Sequence, residues 1–532
     1  MVPEWAKGAV VYQIFPDRFC NGDRENDVKT GEYVYGRIGE VVHADNWSDP
    51  PEALDVHRFY GGDLEGVWDK LPYLKELGVE VLLFNPIFRS PSNHKYDTTD
   101  YYEIDPHLTS RHARNQEDPG RVLSPNEYFA YFTRAVHEAG MRIVLDGVFN
   151  HCGSENAWCS DPAKADYFVT GDDGKRVCWW GVETLPKLNY KCAALREEIK
   201  RIGAYWVSEP YMCDGWRLDV AGDLGESPEE NHAFWREFSD AVKAARPDAW
   251  IFAEHYGDAS KWVKSGEWDS VMNYEGFMEP VSWFFTGVDK HCDKADPSRI
   301  ADARTLSKEL KLTRTHFTDD AYLAALNQLD NHDHARYTTR TAGRCGRLAS
   351  EGAAAASEGV RRDVLMASVV FQMTWPGAPG IYYGDETGIC GWTDPDSRRT
   401  YPWGSEDFRL IDFYKNAAAL HRGSAALRLG ATEIIYAQKG CFAFVRSLEG
   451  EIFLTAVNRS EKTLDTVLEL PGRKISAAER ILTTEGGAYN VGRRQTEVSN
   501  GQLPLELPPV SAVVLRLETG DPANNSAGMA GK

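Results

Sequence analysis

The feature that most constrains this chain is an alternation of short apolar runs with amphipathic stretches, repeated eight times. The runs are Ala9–Phe15, Val79–Asn85, Arg142–Val148, Gly215–Val220, Trp250–Glu254, Ser270–Tyr274, Leu323–Asp330 and Gly380–Gly384. Between them lie helical patterns such as Leu64–Leu77, Pro125–Ala139, Ala194–Val207, Asn231–Ala245 and Arg361–Met373. Short apolar runs joined by helices read as strands buried on both faces, which a parallel sheet requires. Eight such units predict an α/β fold, a closed (β/α)8 TIM barrel more than an open sheet.

Three segments break the rhythm. The stretch Cys152–Tyr190 after the third strand is long, aromatic and irregular, and loops of that length are usually functional, so an inserted subdomain beside the site is expected. Lys290–Thr318 reads as a charged insertion before the seventh strand. From Ala431 the pattern changes to short alternating strands, including Ile452–Asn458 and Ala512–Leu517, which predicts a C-terminal antiparallel β-sandwich. The expected division is a barrel over residues 1–151 and 191–430, an inserted subdomain over 152–190, a sandwich over 431–518 and a disordered tail over 519–532.

Composition narrows the function. A net charge of −21 repels nucleic acid and anionic membranes but not a neutral ligand. No apolar run reaches the ~20 residues of a membrane span, and the N-terminus lacks the pattern of a secretory leader. The ten Cys are scattered without CxxC spacing, as in a reduced cytoplasmic protein rather than a disulfide frame or a zinc site. Sixteen Trp favour a carbohydrate ligand, because sugar faces stack on aromatic rings. No organic cofactor is expected, and the oligomeric state, a monomer included, is left open.

Barrel enzymes carry their chemistry at the C-terminal ends of the strands. There the third run gives DGVFNH, with Asp146, Asn150 and His151, and the fourth gives GWRLDV, with Arg217 and Asp219. The fifth gives FAEHY, with Glu254, and the seventh LDNHD, with Asn331, His332 and Asp333. Glycoside hydrolysis needs one carboxyl to protonate the leaving oxygen and, in a retaining enzyme, a second to attack the anomeric carbon, the two about 5–5.5 Å apart. Arg217 and Asp219 leave the same strand face, and a nearby guanidinium is expected to depress the aspartate's pKa, as a nucleophile requires. Glu254 follows an apolar run whose burial is expected to raise its pKa, as an acid requires. His151 and His332 suit hydrogen bonds to sugar hydroxyls; no HExxH spacing supports a metal there.

These residues resemble the α-amylase family of glycoside hydrolases, and within it the cyclomaltodextrinase, neopullulanase and maltogenic amylase branch. The likeness runs in order through YQIFPDRF, FYGGDLEGV, SPSNHKYDTTDYYEID, DGVFNH, PKLN, GWRLDV, AEH, NHD and GAPGIYYGDE, nearly the whole chain. It implies Asp219 as nucleophile, Glu254 as general acid/base and Asp333 as transition-state stabiliser. It further implies Tyr96 as a stacking platform at the cleavage point, Arg217, His151 and His332 as its hydrogen-bonding neighbours, and Phe149 stacked on the leaving side. Asp394 and Arg398 of DPDSR would hold the non-reducing end. The implied activity is retaining hydrolysis of α-1,4 bonds in maltooligosaccharides, with cyclodextrins and pullulan as further substrates and transglycosylation as a side reaction. A glucan transferase using the same covalent intermediate is the alternative, and a catalytically dead glucan-binding protein the alternative of another class.

A second constellation is FCNGDREND. Asn21, Asp23, Asn26 and Asp27 offer hard oxygen ligands that suit calcium, although Asn, Asp and Gly are also ordinary turn residues. The resemblance would complete this site with the Gly61 carbonyl and Asp63. The chain also departs from the branch. Its barrel begins at Ala9 without an N-terminal sandwich domain, the segment after Asp219 reads Val220-Ala221-Gly222-Asp223 instead of Val-Ala-Asn-Glu, and Tyr256 replaces a Trp. These departures predict an open leaving-group side, and with the Asp394–Arg398 pair they favour short linear maltooligosaccharides over ring-shaped ones.

Overall fold

All eight apolar runs form strands: β1 (Val11–Ile14), β2 (Val81–Phe84), β3 (Arg142–Gly147), β4 (Gly215–Leu218), β5 (Trp250–Ala253), β6 (Ser270–Val271), β7 (Leu326–Gln328) and β8 (Ala378–Tyr382). The structure, a computed structural model, describes residues 1–470, 475–499 and 501–519. The first seven strands are shorter than their apolar runs, whose ends run on into the loops at the two rims, and the eighth starts two residues before its run. The strands are parallel and pair in chain order, and β8 returns to β1 through the register Val11↔Gly380. A parallel bridge Met272↔Leu326 and a hydrogen bond from Asn273 N–H to the Leu326 carbonyl (2.9 Å) close the seam between β6 and β7. The sheet is therefore a barrel.

Strand parity sorts the side chains into two compartments. Val11, Val81, Leu83, Val144, Trp250, Phe252, Met272, Leu326 and Ala378 share one buried cluster that fills the barrel. Their neighbours of opposite parity, such as Tyr12, Leu82, Phe84, Ile143, Leu145, Trp216, Leu218 and Ile251, face outward into the layer beneath the helices. That layer is completed by α1 (Leu64–Leu77), α2 (Pro125–Glu138), α3 (Ala193–Val207), α4 (Pro228–Ala245), α5 (Ala303–Arg314) and α6 (Arg362–Thr374), among others. Their limits follow local chemistry. The Asp63 carboxylate caps α1 by accepting from Gly66 N–H (2.6 Å), and Gly78 ends it at φ +96°. At α2, Ser124 and Glu127 form a capping box.

The stretch expected as an insertion at Lys290–Thr318 is only partly one. It contains α5, whose Leu306 and Leu310 are buried, so the barrel's own return helix supplies its second half. The high charge there belongs to the helix's solvent face. Residues 152–190 do form an irregular subdomain, tied to itself and to the end of β3 by isolated bridges: His151↔Lys187, Phe168↔Leu188, Thr170↔Arg176 and Cys178↔Pro186.

The C-terminal part begins with β9 (Ala431–Gln438) and continues through β10 (Cys441–Leu448), β11 (Glu451–Asn458), β12 (Leu464–Glu469), β13 (Ile475–Glu485), β14 (Ala488–Glu497), β15 (Gln502–Leu507) and β16 (Ser511–Thr519). Six of these form one sheet, in the order β9-β10-β11-β16-β13-β14, and β12 pairs with β15. Leu468, Leu503 and Leu505 of the small sheet share a buried core with Val445, Leu454 and Leu515 of the large one. On the opposite face Phe442 and Phe444 pack against Phe371 and Trp375, at the C-terminal end of α6. Thr519, expected in the tail, pairs with Ile475 instead; residues 520–532 lie outside the described residues.

Candidate active site

The inward parity that fills the barrel with apolar side chains turns polar at its upper end. Gln13, Asn85, Asp146, Arg217, Asp219 and Glu254 all continue the inward-facing series of their strands. Arg217 is fully buried and sits among three carboxylates. Its Nη1 donates to Asp146 (2.7 and 2.9 Å) and to Asp219 Oδ1 (2.8 Å), and its Nη2 lies 2.9 Å from Glu254 Oε2. Glu254 Oε2 also accepts from the backbone N–H of Val220 (3.0 Å). That residue holds a left-handed φ of +45°, costly for a β-branched side chain, and the turn it makes aims its N–H at the carboxylate.

Burial pushes Asp219 well above the ordinary carboxylate range, and Glu254 and Asp146 add to the rise against the pull of Arg217. This reverses the expectation that Arg217 alone would hold Asp219 low. Removal from water disfavours the charged form more than Arg217 favours it, and two neighbouring carboxylates repel the charge further. Asp146 is raised to about 6, again by burial first.

Tyr96 connects this cluster to the seventh strand. Its hydroxyl donates to Asp146 Oδ2 (2.8 Å), accepts from Asn85 Nδ2 (2.9 Å) and lies 2.7 Å from His332 Nε2. Gln13 Nε2 lies 3.0 Å from His332 Nδ1, and because an amide nitrogen can only donate, it fixes His332 with its proton on Nε2. Burial holds His332 well below its ordinary value, in keeping with a neutral ring. The Tyr96 and His332 rings are stacked, 5.4 Å apart and inclined by 14°. Asp333 lies 3.3 Å from His332 Nε2 and accepts from Arg398 Nη2 (3.3 Å). Arg398 in turn pairs with Asp394 (2.9 Å) and donates to the His332 carbonyl (2.9 Å). His151, lowered to about 4 by burial, lies 3.2 Å from the Tyr96 carbonyl through Nε2.

These groups open onto one cavity of about 640 Å³ lined by Tyr96, His151, Asp219, Glu254, Tyr256, His332, Asp333, Asp394 and Arg398. Arg217 lies beneath its floor. Phe149 does not reach it. The ring is fully buried between Trp216, Phe238 and Tyr101, because its parity is opposite to that of Asp146 and points it into the helix layer. A Cβ on Gly147 would meet that ring at 2.5 Å, so the glycine makes room for it.

The cavity also takes side chains not singled out in the sequence: His94, His255, Asp223, Trp179 and Trp180. His94 Nδ1 accepts from Tyr96 N–H (3.1 Å), leaving Nε2 as its donor nitrogen. The NHKY and CWWG strings were the available signals, but they lie in loops where no periodicity points a side chain anywhere.

Tyr256, half-exposed at the cavity, is stacked on Tyr274 (4.5 Å, 4°), its hydroxyl is 3.4 Å from His334 Nε2, and Lys290 Nζ lies 5.1 Å from its ring centre. Lys290 and its neighbour His291, 4.8 Å from His334, come from the segment after β6 and pack behind it, outside the cavity lining. Gly222 allows the approach of His255, whose Nδ1 would lie 2.5 Å from a Cβ at that position.

Apart from this cavity, the loop Asn21–Asp27 folds around Asp63. That buried carboxylate accepts from Gly22, Asp23 and Gly66 N–H and from Asn26 Nδ2, and burial raises it to about 7. With four donors it organises the loop and caps α1, and it stands beside the other candidate ligands. The oxygens Asn21 Oδ1 and Asn26 Oδ1 are buried without a partner, and a Cβ on Gly61 would meet Asp27 Oδ1 at 2.3 Å. Two orphan amide oxygens beside Asp23, Asp27 and a close glycine backbone are a donor set that fits a hard cation. Among the described residues, no three His, Cys, Asp or Glu side chains converge as a metal site.

A (β/α)8 barrel with three carboxylates and a buried arginine at its C-terminal mouth is the arrangement of a carboxylate-dependent glycoside hydrolase. The family model described as "Alpha amylase, catalytic domain" matches residues 13–408. The chain belongs to the α-amylase family of glycoside hydrolases. It is 32% identical over 581 residues to an amylopullulanase of Thermoanaerobacterium saccharolyticum, an alignment covering 97% of this chain but only 42% of that protein. It is 34% identical to neopullulanase 2 of Thermoactinomyces vulgaris, covering 96% of this chain and 78% of the relative. Among solved structures it resembles the cyclic α-maltosyl-(1→6)-maltose hydrolase of Arthrobacter globiformis (TM-score 0.74, 27% identity, 97% and 99% of the two chains). Among the described residues, no helix is long and apolar enough to cross a membrane.

The raised Asp219 carries a pH prediction for the nucleophile role proposed below. A carboxylate in that role would work ionised, so activity would fall as pH drops through its pKa, and the rise moves that loss to higher pH. The acid limb of kcat/KM is expected above the ordinary aspartate value of 3.8. A pH–rate profile checks this; an acid limb at or below that value contradicts it.

Proposed function

We propose that this chain is a retaining α-glucan hydrolase cleaving α-1,4-glucosidic bonds of maltooligosaccharides. The observation that carries the reading is the pairing of Asp219 and Glu254 to the two terminal nitrogens of one buried guanidinium, at 2.8 and 2.9 Å. That pairing ties both carboxyls to one cation, and a double displacement needs two carboxyls held at one site.

In this reading Asp219 attacks the anomeric carbon while Glu254 protonates the glycosidic oxygen. Glu254 then takes a proton from the water that opens the glycosyl ester. Asp333 stabilises the oxocarbenium-like transition state, and Tyr96 lies beneath the reacting sugar. His94 offers a hydrogen-bond donor to hydroxyls, and His332, neutral with its Nε2–H donating to the Tyr96 hydroxyl, holds that ring in place. The Asp394–Arg398 pair limits the chain at its non-reducing end, which favours small products such as maltose and glucose. Tyr256, half-exposed at the cavity, offers a small face on the leaving-group side, and linear glucans are preferred over ring-shaped ones in this reading. Cyclodextrins and pullulan are candidate substrates on the strength of the relatives' names.

Calcium is proposed at the Asn21–Asp27 loop, held by Asn21, Asp23, Asn26, Asp27 and the Gly61 carbonyl, in a structural role away from the chemistry. A cytoplasmic setting is supported by ten free thiols.

Asp219→Asn is expected to lower turnover by at least about three orders of magnitude while maltooligosaccharide still binds, because the covalent step is lost. More than a tenth of wild-type activity in that variant contradicts the assignment. Proton NMR of early products is expected to show the α-anomer first; initial β-anomer rules out retention. Chelation is expected to lower the melting temperature while the folded enzyme keeps its activity at lower temperature, since a ligand bound only to the folded state adds to its stability. A metal-free protein with an unchanged melting curve removes calcium from this account.

A further inference from the structure

Trp180 is the most exposed of the large aromatic side chains, with 86% of its surface open, and yet it lines the active-site cavity. Two features separate it from a stray surface residue. Its backbone is left-handed, with φ +49° and ψ +24°, a conformation that bulky side chains rarely adopt. It also lies at the end of an ordered stack. His151 stacks on Trp179 (5.2 Å, 25°), and Trp179 stacks on Trp180 (5.1 Å, 19°). Hydrogen bonds from Trp179 N–H to the Leu185 carbonyl (2.9 Å) and from Val182 N–H to the Trp179 carbonyl (3.0 Å) pin the turn that carries both rings. The subdomain therefore holds an indole face at the rim in an unfavourable backbone conformation, where burial within the chain does not compensate.

We propose that Trp180 is a stacking platform for a glucosyl unit remote from the cleavage point, and that it sets the preference for longer α-glucan chains. The inference rests on the α-glucan reading above. Trp180 lies two stacking steps from His151, so a chain must extend beyond the sugar at His151 to reach it. Pyranose rings present a C–H-bearing face that packs on an indole, and such a contact is non-directional enough to accept successive units of a flexible chain. Trp180 touches none of the reacting groups and acts on specificity alone.

The test compares kcat/KM on maltotriose and maltoheptaose for wild type, Trp180→Ala and Trp180→Phe. Trp180→Ala is expected to lose about tenfold on maltoheptaose, as one aromatic contact is worth, through KM, with maltotriose changed less than twofold. Trp180→Phe is expected to restore most of the loss, because it keeps a flat ring. Binding of maltoheptaose to Asp219→Asn, with and without Trp180→Ala, gives the same comparison without turnover. Equal efficiency of wild type and Trp180→Ala on maltoheptaose overturns the proposal, and so does an equal loss on both substrates. If wild type cleaves no α-glucan, the functional reading itself is wrong, an outcome distinct from either of these.

Discussion

The sharing of one buried guanidinium by three carboxylates governs the architecture of this molecule's functional end. Arg217 projects from β4 into the barrel, and Asp146 from β3, Asp219 from its own strand and Glu254 from β5 converge on it. A buried ion cluster of this kind contributes little net stability, but removing one partner leaves uncompensated charge and costs about 3–5 kcal/mol. The cluster therefore fixes relative position more than it stabilises the fold. It locks the ends of three adjacent strands in register, and through Asp146 it reaches Tyr96, His332 and Gln13 around the rest of the mouth. The apolar layers below make the barrel; this polar layer decides where its catalytic groups stand.

Much of this was legible in the sequence, and the reason is periodicity. Parallel strands buried on both faces leave unbroken apolar runs, and Arg217 and Asp219, two residues apart, had to share a face. The same rule accounts for the failure at Phe149. It is three residues after Asp146, so its parity sends it outward against Trp216 and Phe238, and a motif likeness had placed it where its strand could not. The cap that Asp63 makes was not read, because an acidic residue beside a glycine pair serves equally as a metal ligand or a helix cap, and only the donors gathered around it reveal the second role. Trp179 and Trp180 escaped notice because an irregular loop has no period from which to read a direction. The depressed pKa expected for Asp219 failed because a pairwise argument with Arg217 left out burial first and the repulsion of Glu254 and Asp146 second.

The leaving-group side shows how distant segments combine to shape one wall. Tyr256 follows β5, Tyr274 follows β6, Lys290 lies in the segment before α5, and His334 follows β7. Their contacts place a phenol ring flat on another phenol ring, with a cation nearby and an imidazole at its hydroxyl. Lys290 is itself anchored by an ion pair with Glu279 and by its carbonyl, which accepts from Ala335 N–H (3.0 Å). This wall is assembled from fixed elements rather than from a single mobile loop.

The bridge His151↔Lys187 has a consequence for how such a protein can change over generations. It pairs the chain where it leaves the barrel for the subdomain with the chain where it comes back, so the excursion starts and finishes at one spot. An excursion with adjoining ends imposes almost no constraint on the length or shape of what lies between them. Descendants of this gene can lengthen, shorten or exchange that lobe while the barrel beneath keeps its strands and the polar groups at its mouth. A lineage can thus remake the rim of the cavity without first disturbing its floor.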